Sequence, residues 1–240
     1  MRESRRVWLT PAYVLHHHAY RDTSRILEVF TAEHGRLSLF ARGVAGPKSK
    51  LGPVLRPFQR LLVSWSGVTD ACRLVGAEID GPPAALPPGR LMSGFYLNEL
   101  LLKLTERGDP NPAIFDGYAG TISALGDSPD EEACLRRFEK GLLEALGYGL
   151  SLTHTDEGRP IEPEMHYLFQ PQRGARACVA EAPDAVYGRS LAELDAGAFS
   201  GPQSLRDAKR VLRAAIDVCL EGRPLNSRHI MAGMYRRRRA

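Results

Sequence analysis

The sequence predicts an α+β fold in two domains, a small β-barrel followed by a mainly α-helical domain. Three observations predict it. Up to about residue 80 the apolar residues fall in short runs of β-branched and aromatic types. Residues 80–89 (DGPPAALPPG) then hold four prolines in ten. Beyond them the apolar spacing lengthens from 2 to 3.6 residues. The expected limits are 1–80 for the barrel, 81–89 for a proline-rich linker and 90–240 for the helical domain.

Five segments read as strands: TPAYVLHHH, SRILEVFTA, GRLSLFARG, RLLVSW and ACRLVGAEI. The EHG between the second and third is a hairpin signal, because Gly35 takes a positive φ without steric cost. Five short strands in some 80 residues, with little helical pattern, suit a closed or partly closed barrel. The oligonucleotide-binding barrel, or OB-fold, is the five-stranded form.

In the linker, proline removes backbone donors and biases its predecessor away from helix. RLMSGFYLNELLLKLTER (90–107) is then apolar on too many faces to lie on a surface, so a central helix is expected. NPAIFDGYAGTISAL starts with Asn111 as N-cap and Pro112 at the first helical position, where its missing N–H is harmless. In SPDEEACLRRFEKGLLEALGYG, Ser128 and Glu131 have capping-box spacing and Gly147 supplies the stop. Leu135, Phe138, Leu142 and Leu146 share one face of that helix. Between 148 and 188 the pattern is irregular, with YLFQ and RACVA as short strands. The last long helix, 202–222, is expected to turn Leu205, Ala208, Leu212, Ala215 and Cys219 inward and Arg206, Arg210 and Arg213 outward. LNSRHIMAGMYRRRR adds a short helix with a basic tail.

Composition excludes several classes. With 43% apolar residues the 240-residue chain can build a packed core. No apolar run reaches the roughly 18 residues of a membrane span, and the N-terminal residues lack the apolar run of a signal peptide, so a cytoplasmic location is expected. Cys72, Cys134, Cys178 and Cys219 are scattered, which suits buried thiols better than a disulfide framework or a zinc half-site. There is no P-loop, GxSxG, HExxH or paired CxxC, so no enzymatic activity and no cofactor are expected.

Charge is unevenly placed. The net +4 hides 12 Lys/Arg against 7 Asp/Glu in residues 1–80, 16 against 21 in 81–235, and four arginines in the last five residues. The stretch ARGVAGPKSKLGPVLRPFQR (41–60) carries five cations, three prolines and three glycines, with no acid. Such a loop between barrel strands suits a phosphate backbone, and a solvated basic face is the plain alternative. HHH at 16–18 converges poorly on one metal ion, since successive strand residues point to opposite faces. Tyr13, Tyr20, Phe40, Phe58 and Trp65 are available to stack on bases, although small barrels bury most such side chains.

Three segments together resemble the RecO family of bacterial recombination mediators. They are VLHHHAYRDTSRILEVFTAEHGRLSLFARGVAGPKSKLGPVLRPF, FYLNELLLKL, and RRFEKGLLEALGYG with the terminal GRPLNSRHIM. The resemblance implies an N-terminal OB-fold joined to a helical domain and acting without catalysis. It also implies binding of single- and double-stranded DNA and annealing of complementary strands. The implied protein partners are the acidic, Phe-ended C-terminal tail of single-stranded DNA-binding protein (SSB) and RecR, with a functional link to RecA and RecF as a further candidate. A cytoplasmic, nucleoid-associated place follows, with no membrane contact. Some members carry a four-cysteine zinc module after the LGY segment. Here 151–180 holds only Cys178, with His154 and His166 nearby, so no zinc is expected.

The expected DNA-binding residues are Arg42, Lys48, Lys50, Arg56 and Arg60. For the tail, an apolar pocket rimmed by guanidinium groups is needed, and the expected residues are Arg136, Arg137, Phe138, Leu142 and Arg210. Pairing of Arg136 or Arg137 with Glu132, Glu139 or Glu144 is the structural alternative. Lys209, Arg210, Arg213, Arg228 and the arginines at 236–239 form a second basic group. The competing functional reading is an OB-fold protein-interaction scaffold whose basic surface is incidental.

Overall fold

The computed structural model describes residues 5–67, 72–82 and 86–239, with the side chains of Arg5, Ala232 and residues 235–239 outside the description. Strands β1 (Arg5–Tyr20), β2 (Ser24–Thr31), β3 (Gly35–Ala41), β4 (Arg60–Gly67) and β5 (Cys72–Ile79) close a barrel in the order β1-β2-β3-β5-β4. Closure depends on β1, whose 16 residues pair with β2 along one part and β4 along another. A parallel contact between β3 and β5 completes the ring. This is the five-stranded OB-type barrel the strand pattern predicts. Its interior holds Val14, Leu27, Val29, Leu39, Leu61 and Val63, each at most 1% exposed.

The β2–β3 hairpin turns at Gly35, with φ 61°, and a Cβ there would stand 2.1 Å from the Asp109 carbonyl oxygen. Glycine is therefore required by both conformation and space. Thr31 ties the turn by accepting from the His34 amide and donating to the Gly35 carbonyl.

Helices α1 (Leu91–Leu104) and α2 (Pro112–Asp127) follow. Asn111 caps α2 by accepting from the Ile114 amide at 3.0 Å. Both helices pack with the barrel. Tyr13 and Phe30 on its outer face meet Phe115, and Tyr13 also meets Tyr118. Consequently the chain packs as two compact units, residues 1–127 with 225–240 and residues 128–224. The packing boundary thus differs from the proline-rich 81–89 marked by sequence texture. Prolines break local structure, but the apolar faces of α1 and α2 are covered by barrel aromatics.

The second unit contains α3 (Glu131–Ala145), a hairpin of β6 (His166–Gln170) and β7 (Gly174–Cys178), the short β8 (Val186–Tyr187), α4 (Gly188–Ala196) and α5 (Pro202–Cys219). The strands form one sheet in the order β7-β6-β8. Asp130, not Ser128, caps α3 by accepting from the Ala133 amide at 3.0 Å, while Ser128 accepts from the Asp130 amide. On α5 the buried stripe is Ser204, Asp207, Ala208, Val211, Leu212, Ala215, Ile216 and Cys219, with Leu205 at its edge. Helix α6 (Asn226–Arg239) returns to the first unit. No helix among the described residues is long and apolar enough to cross a membrane.

Candidate nucleic-acid interface

Residues 42–59 connect β3 to β4 and fold back onto the barrel. Val44 and Leu55 are buried in its core, with Leu51 and Val54 packed against them. The Ala45 amide donates to the Thr23 carbonyl at 2.8 Å, and the Gly52 amide donates to Ser49 Oγ at 3.0 Å. A Cβ on Gly52 would lie 2.3 Å from the Val44 carbonyl oxygen, so only glycine permits this approach. At the far end Phe58 is buried at φ 70° with its ring edge-on to Phe95. A Cβ on Gly94 would stand 2.7 Å from the Phe58 ring, so that glycine makes room for it.

Anchoring by apolar side chains leaves the cations outside. Arg42, Lys48, Lys50 and Arg56 are all exposed and have no carboxylate partner among the described residues. The loop therefore presents these cations on an anchored backbone. Arg60 is different. Its Nε donates to Asp80 at 2.6 Å, and this hydrogen bond favours the charged guanidinium. With Tyr13, Phe58, Asp80, Leu86 and Ile122 it lines a cleft of about 650 Å³. Burial pushes the Tyr13 phenol up, an effect that Arg60 partly offsets.

Of the five candidate stacking aromatics, Tyr13, Phe58 and Trp65 are buried, which leaves Tyr20 and Phe40 at the surface in edge-to-face contact at 5.5 Å. The guanidinium of Arg21 lies 5.4 Å from the Tyr20 ring. His16 and His18 share a face and meet edge-on at 4.4 Å. Burial and then His18 push the His16 imidazole down.

In the second unit the expected tail residues separate. Phe138 and Leu142 are core side chains, 5% and 2% exposed, because their α3 face packs inward. Arg136 is buried too, and donates to Glu139 at 2.6 Å one turn away. Burial of a guanidinium demands such a partner, so the local pairing alternative holds for Arg136. Arg137 is exposed, donates from Nε to the Gly197 carbonyl at 2.7 Å at the end of α4, and reaches the Phe199 ring. Arg210 donates to the Ala185 carbonyl and pairs with Asp184. These five residues do not form one pocket. Arg210 instead borders a cleft of about 300 Å³ with Leu168, Phe169, Val186, Val211 and Arg213. The sequence reading missed Phe169 and Val186, since they come from short strands in an irregular stretch. Lys209 pairs with Glu132, Arg228 lies 5.9 Å from the Tyr96 ring, and the side chains of 236–239 lie outside the described residues.

The remaining metal-ligand types are dispersed. Cys178 pairs with His166 across β6 and β7, and His154 is held by Thr153. Among the described residues no group of three His, Cys, Asp or Glu is placed to hold a metal ion.

Comparison with known proteins also divides the chain in two, at the proline-rich stretch rather than after residue 127. The family model described as "Recombination protein O N terminal" matches residues 1–79, and "Recombination protein O C terminal" matches 88–229. A DNA repair protein RecO of Nitrosococcus oceani is 42% identical over 234 residues, covering 96% of this chain and 95% of the relative. That of Aromatoleum aromaticum is 40% identical over 234 residues, with 96% and 98% covered. That of Burkholderia lata is 39% identical over 229 residues, with 94% and 82% covered. With two family models spanning most of its length and such relatives, the chain belongs to the RecO family of DNA repair proteins.

Proposed function

We propose that the protein is a non-enzymatic mediator of DNA repair and recombination that binds single- and double-stranded DNA and anneals complementary strands. The observation that carries this reading is the anchored 42–59 loop, whose Arg42, Lys48, Lys50 and Arg56 are exposed without carboxylate partners among the described residues. Cations held this way neutralise phosphates without first breaking an internal ion pair. Annealing then needs no nucleotide hydrolysis, because neutralising two polyanions and holding them close raises their effective concentration.

The second unit serves protein docking in this reading. An acidic tail ending in Phe is the proposed occupant of the cleft beside Arg210 and Arg213, where Leu168, Phe169 and Val211 offer apolar surface and the tail's carboxylates would displace Asp184 and Asp217 from these arginines. Arg137 is the other exposed guanidinium of the expected set. The SSB tail is the proposed occupant, RecR the proposed co-factor in loading RecA, and the nucleoid in the cytoplasm the proposed place of action.

Annealing of two complementary labelled strands coated with SSB tests the whole reading. Fast annealing with intact SSB, lost when its last residues are removed, is expected. Absence of annealing on both coated and bare strands would leave the protein-interaction scaffold in its place.

A further inference from the structure

Trp8 and Leu9 stand out near the start of β1, 59% and 54% exposed, with Leu9 three positions before the fully buried Ala12. A bulge causes this. Val7 pairs with Trp65 and Thr10 with Val63, so Trp8 and Leu9 both stand opposite Ser64. Leu9 adopts φ 48°, unusual for a side chain branched beyond Cβ, and its amide donates to Ser64 Oγ at 3.0 Å. A second bulge faces the first across β4. Ser64 pairs with Gly76 and Trp65 with Leu74, which leaves Val75 as the extra residue, 48% exposed. Above Gly76 the space that a Cβ would occupy is open to 4 Å.

Cations flank these bulges on the same outer face. Val7, Trp65, Cys72 and Leu74 turn towards the core, so Arg6, Ser66 and Arg73 lie outside. Arg6 pairs with Ser66 and Ser66 with Arg73, forming one row across β1, β4 and β5. Arg73 in turn neighbours Phe40 on β3, which meets Tyr20. Arg6 and Arg73 are exposed and have no carboxylate partner among the described residues. The row contains no acid.

We propose that this face is a second track for single-stranded nucleic acid, with Trp8 as a base-stacking platform at one end and Tyr20 with Phe40 at the other. Arg6 and Arg73 neutralise the phosphates between them. The track crosses β3, β5, β4 and β1, three strand spacings or about 14 Å, enough for about four nucleotides at a stacked rise of about 3.4 Å. Aromatic faces alternating with cations suit single strands of any sequence. The inference rests on the reading that the protein binds DNA, and it gives the barrel a place for a second strand beside the one held by the 42–59 loop.

The chain has two tryptophans, and Trp65 is buried, so exposed tryptophan emission reports Trp8. The full chain is titrated with oligo(dT) of about 20 nucleotides at low salt, following emission and its quenching by iodide. Binding is expected to quench Trp8 and shield it from iodide. Trp8→Ala should weaken binding about tenfold, Trp8→Phe should restore most of it, and Arg73→Ala should lower the salt slope by about 0.7. Circular dichroism confirms that each variant is folded. If the oligonucleotide binds through Lys48 and Lys50 while Trp8 stays open to iodide and Trp8→Ala binds as wild type, the second track is overturned and the DNA reading stands. If the wild-type chain binds no oligonucleotide, both fall.

Discussion

The Tyr118 hydroxyl donates to Asn98 Oδ1 across 2.6 Å, and the Asn98 amide donates in turn to the Leu15 carbonyl at 2.8 Å. Leu15 is the extra residue where β1 shifts register between Val14 and His16, so its carbonyl has left the strand ladder. The relay therefore satisfies the polar group that bending of β1 exposes, and it links α1 and α2 to the barrel. Burial holds the Tyr118 phenol well above its ordinary pKa, consistent with its use as a neutral donor. Replacing Asn98 by Leu removes two buried hydrogen bonds and should cost about 3 kcal/mol in urea unfolding. Tyr118→Phe should cost roughly half as much.

The loop cations offer a salt-dependent test. Converting Arg42, Lys48, Lys50 and Arg56 to Ala together should flatten log K against log salt for single-stranded DNA by about 2.8, at about 0.7 per lost contact. Thermal stability should barely change, because Val44 and Leu55 hold the loop from beneath. An unchanged slope would count against the interface.

Gly52 separates shape from charge at the same loop. Gly52→Ala pushes a methyl into the Val44 carbonyl, so the anchored conformation must open. DNA affinity should fall several-fold with all four cations present, as measured by anisotropy on a labelled strand.

Arg136 and Arg210 should behave oppositely. Arg136→Ala removes the 2.6 Å ion pair from two buried side chains and should destabilise the second unit by about 3 kcal/mol. Arg210 lies 3.7 Å from the buried Asp207, which keeps hydrogen bonds from Ser190 and Gln203, so Arg210→Ala should cost less stability than Arg136→Ala and weaken binding of an acidic, Phe-ended peptide. Calorimetry on both variants reads heat stability and peptide affinity on the same samples.

Acid should loosen α6 first. Burial raises the Glu99 carboxyl, but hydrogen bonds from Ser227 and from the Asn226 amide outweigh it and hold the group below its ordinary value of 4.5. A depressed folded pKa means the stabilisation is complete above that ordinary value and is lost as pH falls through the lower folded value. Glu99→Gln should cost about 1 kcal/mol at pH 7, by analogy with helix capping, and nearly nothing near pH 2. Equal losses at both pH values would contradict this.

The sequence by itself determined the barrel, helices α1, α2, α3, α5 and α6 and the signals at Asn111 and Gly147, since burial repeats every 2 residues in strands and every 3.6 in helices, whereas the short α4 gave no such signal. It also marked the 42–59 loop, because composition alone distinguishes an acid-free cationic segment. Only the tertiary structure decided which cations are available. Arg60 is neutralised by Asp80, twenty residues away, and Arg136 is buried beside Glu139, while Lys48 and Lys50 stay exposed. Likewise Phe138 and Leu142 follow the spacing of a binding face and of a core face equally well, and packing made them core. Trp8 carried no signal in the chain. Its exposure comes from a bulge, which depends on the register between β1 and β4, and strand register is a property of two segments more than fifty residues apart.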